Sequence, residues 1–513
     1  MYGRLQKRTL RKTFLYNEAV RSALIKIKQA VASNIATASK GNMKIQKLPY
    51  IIFRAYPDYG YLTDNRNYGY DTACKSSRKV GELIISKVGC VFYSVLENYP
   101  QTLDEIVNRL CTYFEDAQRD IIYKDAQKFY STLSDKGFIC CCEDIDKGFH
   151  IPQYLSYQDK TSVEIPSLPD TPFDYDKVFG EEYRLHRVHL DISSRCNEKC
   201  IHCYIPDRNK NNIMDLFLFD EILQQCIEMR VLNITISGGE PMMNPNLIKI
   251  LEKCHDANFS INLLTNLNLL SDDLLEVIVS NPLLSVQTSL YSMDEEIHDS
   301  ITKRKGSYRK TMDSIIKLWD NNVPMQINCP IMIQNKTSYS DVIDWATSMN
   351  IESSADYVLF GCYDGSQNNL NCRLTRKDIK ELYESNISLI NNSPVKDTKD
   401  MSEEAICPVC KSSLCISNTG KVYPCEGWQN LILGDLSSKT ISEIWNDSAM
   451  VIHLRNLKYK DFPKCVSCTI KDYCNPCLIM NANENSDGDY MQVNNYLCEV
   501  AKLRKEAMLQ LHR

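Results

Sequence analysis

The sequence predicts an α/β protein built on a parallel sheet, and three observations carry that expectation. From about residue 187 to residue 360, apolar runs of strand length alternate with runs of helical period. A cysteine-rich loop, Cys196-Asn-Glu-Lys-Cys200-Ile-His-Cys203, directly follows the first of these strands. Glycines and polar residues of the later units also fall where their strands end. Repeated β–α units imply a parallel sheet covered by helices. Sites in such sheets gather at the carboxyl ends of the strands.

The elements follow in order. The run Arg187-Val-His-Leu-Asp-Ile-Ser193 alternates in strand fashion and feeds the cysteine loop. A helix is expected over 215–230, then a strand over 233–237 that ends in Gly238-Gly239-Glu240-Pro241. Two glycines let backbone approach a ligand closely, and Glu240 is an acceptor for an ammonium group. Taken alone, the three residues are equally a turn. The third strand spans 260–265 and ends at Thr265-Asn266; the fourth spans 284–290 and brings Ser289 to its end. A fifth is expected at 325–333 and a sixth at 356–360, with helices at 245–257, 271–280, 308–321 and 338–349.

Three thiolates at C-x3-C-x2-C spacing can hold three irons of a [4Fe–4S] cube and leave the fourth iron without a protein ligand. An open metal position points to chemistry, because structural sites close their coordination shell. By spacing alone, a zinc knuckle or spare core cysteines remain the other readings. A second group holds nine cysteines from Cys407 onward, with C465-x2-C468-x5-C474-x2-C477 at its centre. Paired C-x2-C also builds zinc ribbons, so two structural zinc sites stand beside the iron–sulfur reading.

Composition sets bounds. A chain of 513 residues with 43% hydrophobic content has room for about three domains with real cores. A net charge of −6 gives no general attraction to nucleic acid. No run of membrane-spanning length and no secretion signal is found, so the 23 cysteines suggest metal binding in a reducing cytoplasm rather than disulfides.

Residues 188–360 resemble the radical S-adenosylmethionine (SAM) core, a partial (β/α)6 barrel. The resemblance implies that Cys196, Cys200 and Cys203 hold a cluster whose free iron binds SAM, which is cleaved to a 5′-deoxyadenosyl radical. It also implies that Gly238, Gly239 and Glu240 touch the methionyl part of SAM, with Thr265 and Asn266 in the same site. Ser289 would meet the ribose or carboxylate, unless it is a helix cap or core serine.

The C-terminal cysteines resemble the SPASM extension of peptide-modifying radical SAM enzymes, with Gly420-Lys-Val-Tyr-Pro-Cys425 as its Gly-x4-Cys element. That resemblance implies two auxiliary [4Fe–4S] clusters, three in all. The first would take Cys407, Cys425 and Cys477, with Cys410 or Cys415 as a fourth ligand. The second would take Cys465, Cys468, Cys474 and Cys498. One departure is the C-x2-C between Cys474 and Cys477, where the family has C-x3-C.

Ahead of the barrel, residues 50–56 and 60–63 read as strands around a turn, and helices are expected at 87–97, 103–114 and 121–136. Thr102 is a plausible N-cap for the second helix, Gly137 a C-cap for the third, and a closing strand follows at 138–140. A strand pair with three helices is a winged helix-turn-helix pattern. Its third helix is mixed in charge and lacks a basic stripe for phosphate. The order resembles the chaperone-like recognition element of ribosomal-peptide maturation, which adds a leader peptide as a strand to its sheet edge.

The expected domains are a basic extension (1–49), the winged-helix unit (50–143), a linker (144–183), the barrel (184–365), a bridging region (366–406), the SPASM domain (407–500) and a tail (501–513). The extension carries eleven Lys or Arg against Glu18. It could steer an acidic peptide, lie on a membrane surface or serve as a transit peptide, though a solvated extension is the simplest account. Cys140, Cys141 and Cys142 read as idle thiols ahead of metal ligands.

The resulting expectation is a radical SAM/SPASM maturase that cross-links a ribosomally made precursor peptide, a thioether first and a carbon–carbon bond second. An auxiliary cluster would accept the electron left by ring closure. Partners would be the precursor peptide and an electron donor such as flavodoxin or ferredoxin. Rivals are a peptide epimerase, a single-residue oxidase of the sulfatase-maturing type and, in another class, an iron–sulfur redox regulator that binds DNA. No general base is identifiable from sequence.

Overall fold

Alternation decides the first element. In the computed structural model Arg187–Ser193 forms β1, with Val188, Leu190 and Ile192 fully buried on one face and His189, Asp191 and Ser193 on the other. The structure describes residues 44–65, 80–142, 183–206, 209, 211–385 and 401–511. Five strands follow β1: β2 (Asn233–Gly238), β3 (Ser260–Leu264), β4 (Leu284–Ser289), β5 (Met325–Pro330) and β6 (Glu352–Asp356). Each pairs in parallel with the one before it.

Parallel neighbours need crossovers, and helices supply them. These are α1 (Leu216–Glu228), α2 (Leu247–Asp256), α3 (Asp272–Ser280), α4 (Glu295–Thr302), α5 (Ser307–Asp320) and α6 (Tyr339–Ser348). Asp215, Ser271 and Asp294 accept backbone N–H bonds as N-caps of α1, α3 and α4, worth about 1 kcal/mol each. On α1, Phe219, Ile222, Leu223 and Cys226 turn inward at helical spacing and pack in the same core as Ile234 and Ile236 of β2. Each such aliphatic side chain contributes about 1.5–3 kcal/mol by leaving water.

The sixth strand corrects the expectation of 356–360. It is Glu352–Asp356, whose alternate residues are exposed, so it carries no apolar signal; the apolar run that suggested a strand comes after it. Helix α4 was also not anticipated, because Glu295-Glu-Ile-His-Asp-Ser-Ile-Thr302 is short and mostly polar.

The sheet does not end at β1. Ser413–Ile416 (β7) pairs in parallel with β1, Ser413 opposite Arg187 and Ile416 opposite Leu190. Lys421–Tyr423 (β8) and Gly434–Asp435 (β9) continue it antiparallel, so nine strands run in the order β6-β5-β4-β3-β2-β1-β7-β8-β9. The cysteine-rich C-terminal region therefore shares one sheet with the repeated β–α units.

The bridging region contains structure as well. A helix spans Arg376–Ser385, and Arg373 just ahead of it is bound through both terminal nitrogens to Glu484 (3.0 and 2.6 Å). Both side chains are about nine-tenths buried, at 10% and 8% exposure. Glu484→Ala strands a buried guanidinium and is expected to cost about 3–5 kcal/mol, read as a lowered unfolding midpoint. The expected tail is likewise the end of a helix, Asn495–Leu511, that also carries Cys498.

The domain boundary at residue 50 is corrected too. The antiparallel hairpin Ile51–Ala55/Tyr59–Asp64 belongs to the larger unit with the parallel sheet, not to the three helices. Ile52, Tyr56 and Tyr61 form a cluster with Leu232 and Leu283, which precede β2 and β4, and Arg54 Nε donates to Val231 O (2.9 Å). Asn258 clasps the hairpin by accepting from Phe53 N (2.9 Å) and donating to Ile51 O (3.1 Å). The hairpin thus lies at the amino ends of the strands, away from the cysteine loop.

The smaller unit consists of residues up to 49 and 85–151, of which 44–49 and 85–142 are described. Its sheet is antiparallel, with Lys44–Lys47 central between Gln101–Thr102 and Ile139–Cys142. Lys44–Lys47, expected within the basic extension, is therefore a sheet strand. Three helices accompany it: Lys87–Ser94, Leu103–Leu110 and Arg119–Asp135. Thr102 and Glu105 form a reciprocal capping box on the second, and Gly137 takes φ +81° after the third. Residues 1–43 of the extension, residue 143 and residues 144–182 of the linker lie outside the described residues.

Candidate active site

The loop leaving β1 carries Cys196, Cys200 and Cys203 and is tied on both sides. Lys199 N and Ile201 N donate to the carbonyls of Thr302 and Ile301 at the end of α4 (3.1 and 2.9 Å). Arg304 Nη1 donates to Asn197 O (2.5 Å). Glu198 is buried, and its carboxylate accepts from Ser307 Oγ, Asn268 Nδ2 (3.1 Å) and the Cys200 thiol (3.5 Å).

The three thiols lie within electrostatic reach of one another. Burial pushes the Cys196 thiol up to about 12, and burial followed by the Glu198 charge pushes Cys200 well above its usual value. Thiols so placed give up their protons together with metal binding. Glu198 N already donates to Cys196 Sγ (3.5 Å). Three soft sulfur donors on one pinned loop fit an iron–sulfur cluster.

The glycines of Gly238-Gly239-Glu240 have a local reason that the sequence did not reveal. A Cβ on Gly238 (φ +130°) would stand 2.0 Å from Ser193 O, and one on Gly239 would stand 2.6 Å from the carbonyls of Ser194 and Arg195. Gly239 N and Glu240 N donate to Ser193 O and Arg195 O (2.7 and 2.8 Å). The missing side chains make room for the entry to the cysteine loop itself.

Glu240 is fully buried. Its carboxylate accepts from Thr265 Oγ1 (2.6 Å), Asn266 N (2.7 Å) and Met242 N (2.9 Å). Burial pushes this carboxyl up to about 7, against the pull of those three donors. Asn266 Nδ2 reaches on to Asn197 Oδ1 (2.8 Å), so Glu240, Thr265 and Asn266 link the ends of β2 and β3 to the cysteine loop. Ser289 bonds the Tyr291 phenol, whose oxygen also lies 2.9 Å from His202 Nε2.

Two cavities open here. One, of about 370 Å³, is lined by Asp191, Ser193, Gly238, Gly239, Tyr423 and Gln429 among others. The other, of about 630 Å³, borders the loop at Lys199, Cys200 and Cys203 and also touches Cys362 and Cys372.

The C-terminal thiols fall into two sets. Cys465, Cys468, Cys474 and Cys498 line one small, largely apolar pocket of about 50 Å³. Local C-x2-C geometry brings in the first pair, and the helix Asn495–Leu511 delivers Cys498. Cys477 is absent from that pocket's lining. It lies instead within reach of Cys407, which is also within reach of Cys425. Backbone amides point at these sulfurs: Val409 and Leu478 at Cys407, Gly427 at Cys425, Ile479 and Met480 at Cys477. Four thiols in one set and three amide-cradled thiols in the other fit iron–sulfur clusters. Of the two candidates for a fourth ligand in the smaller set, Cys410 lies near Cys407, while Cys415 lies near Cys425 and also faces Asp191 and Glu426.

Sequence reasoning missed the titratable residues gathered beside Cys425. Glu426 accepts from the Cys425 thiol (2.9 Å), and its charge acts on His189, Cys415 and the Tyr204 phenol. His189 Nε2 lies 3.2 Å from Asp191 Oδ1, while Asp191 Oδ2 accepts from Gln429 Nε2 (2.5 Å). A signal was present: alternation along a buried strand puts His189, Asp191 and Ser193 together on the face that does not join the core.

Residues 190–346 match the radical SAM superfamily and residues 407–469 match SPASM, an iron–sulfur cluster-binding domain. The chain therefore carries both domains. It is 24% identical over 312 residues to the antilisterial bacteriocin subtilosin biosynthesis protein AlbA of Bacillus subtilis, spanning 58% of this chain and 68% of that protein. It is 22% identical over 304 residues to a PqqA peptide cyclase of Bradyrhizobium diazoefficiens, spanning 56% of this chain and 79% of the relative. Streptococcus suis SuiB, in a crystal structure with precursor peptide SuiA, shares the fold. Its TM-score is 0.53 at 15% identity, over 87% of this chain and 98% of that one.

Proposed function

We propose that this protein is a radical SAM maturase that installs an oxidative cross-link in a ribosomally made precursor peptide, a thioether first and a carbon–carbon bond second. The observation that carries this reading is the pair of cysteine sets behind the three-thiol loop, one lining its own pocket and one cradled by amides. A single hydrogen abstraction needs one cluster. Closing a bond between two groups removes two hydrogens, and the second electron then needs a destination. Relatives named for subtilosin biosynthesis and for cyclising the PqqA peptide support a peptide substrate.

In this reading Cys196, Cys200 and Cys203 hold the SAM-binding cluster, and Gly238, Gly239, Glu240, Thr265, Asn266 and Ser289 shape the SAM site. Cys465, Cys468, Cys474 and Cys498 hold one auxiliary cluster. Cys407, Cys425 and Cys477 hold the other, with Cys410 beside them. When bound, SAM and the clusters supply one-electron chemistry: hydrogen-atom abstraction from the substrate and a sink for the remaining electron. The chain's own part is to orient and to exclude water. Glu240 and Asn266 hold the cysteine loop against the ends of β2 and β3, and Glu426 offers a half-buried carboxylate beside Cys425.

The smaller unit, with its short sheet and three helices, is assigned to the leader peptide as a winged-helix recognition domain. Its sheet ends on Ile139–Cys142 at one edge, where an extended segment gains main-chain bonds. A flavodoxin or ferredoxin would deliver the electrons, in a cytoplasmic setting. Among the described residues no helix is long and apolar enough to cross a membrane.

Anaerobic co-expression with the peptide encoded beside this chain tests the reading. Its intact mass should fall by pairs of hydrogens, and thiol alkylation then separates a thioether from a carbon–carbon closure. A peptide of unchanged mass in the presence of turnover would replace cross-linking by epimerisation.

A further inference from the structure

We propose that His189, Asp191 and Cys415 form a mononuclear zinc site, separate from the iron–sulfur clusters, that joins β1 to β7. The register builds it. Cys415 is the direct cross-strand partner of His189 in the parallel β1–β7 pair, and Asp191 is two residues along β1 on the same face as His189. Among the described residues these are the three whose donor atoms all lie within 4.8 Å of one another. The thiols assigned to the clusters do not converge so closely, as expected for a cube that spreads its ligands over several irons.

The donor set suits zinc. One imidazole nitrogen, one carboxylate oxygen and one sulfur are its usual protein ligands, and three of them leave a fourth position for water or a substrate group. Zinc–ligand bonds of 2.0–2.2 Å in a tetrahedron set nitrogen and oxygen about 3.4 Å apart. His189 Nε2 and Asp191 Oδ1 stand at 3.2 Å. Cys415 Sγ lies within 4.8 Å of both donors, and a zinc–sulfur bond of about 2.3 Å would draw it inward to complete the set.

Two further observations agree. The second Asp191 oxygen is held by Gln429 Nε2 (2.5 Å), the kind of outer partner that aims a ligating carboxylate. Charge also closes: Asp191 and Cys415 are 6% and 0% exposed, and a divalent ion neutralises the buried carboxylate together with the thiolate that forms on binding.

The test is metal counting on the anaerobically purified, cluster-loaded holoprotein without an affinity tag, after dialysis against a weak chelator. About one zinc per chain is expected, as for any single-ion site. Cys415→Ser and His189→Gln should each lower zinc at least tenfold while leaving iron, sulfide and the circular dichroism spectrum unchanged. Wild-type protein without zinc, or variants that keep it, would overturn the proposal. Iron lost from Cys415→Ser alone would also overturn it, by making Cys415 a ligand of the cluster at Cys407 and Cys425. None of these counts depends on whether the substrate is a peptide.

Discussion

Cys200→Ala is expected to stop release of 5′-deoxyadenosine from SAM while the protein still folds. Removing an outer partner of a metal site costs about 10–100-fold in affinity or activity, so removing one of the three thiols proposed as direct ligands should cost more. The loop itself should survive. It is held by Lys199 N and Ile201 N on α4 and by Arg304 on Asn197 O, none of which involves the thiol. Iron should drop by about four per chain, the content of one cube, with the C-terminal sets still loaded. Deoxyadenosine formed at an undiminished rate would show that the cluster is elsewhere.

Gly238→Ala should be among the most destabilising single changes in the parallel sheet. Its Cβ would meet Ser193 O at 2.0 Å and two more backbone atoms within 3.2 Å, and φ of +130° is a conformation that an L side chain rarely adopts. A backbone clash with backbone has no flexible partner to yield. A loss of more than about 3 kcal/mol is expected, at the upper end of point-mutant effects. Because Ser193 leads into Cys196, iron content should fall together with the unfolding midpoint. A variant with normal stability and only a raised KM for SAM would move the role of this glycine from the loop to the ligand.

These two sites show what the sequence made legible and what it did not. Strand β1 could be bounded at both ends because Val188, Leu190 and Ile192 alternate with polar residues on a strand that is buried on one face. The C-terminal quartet was readable because C-x2-C is a local geometry, and Cys498 came in by resemblance. The sixth strand was not legible, since Glu352–Asp356 carries no buried apolar stripe, and the hairpin at 51–64 was misplaced. Its alternation revealed strands but not their partner, which lies some 200 residues away at Asn258. Glu426 was missed for a related reason. One acid beside a cysteine is unremarkable until folding places it next to His189 and Tyr204.

The pairing of β7 with β1 has a consequence for how this chain can be cut. In a free parallel sheet, the edge of β1 would present unpaired N–H and C=O groups beside fully buried Leu190 and Ile192, a template for stray strands. Here the C-terminal region covers that edge, and the amides of His186 and Arg187 are spent on Ser412 O. A fragment ending near residue 405 would keep every residue of the β–α repeats yet expose this seam, and it should self-associate into insoluble material. The two domains are thus one unit for heterologous expression, whatever their separate names imply.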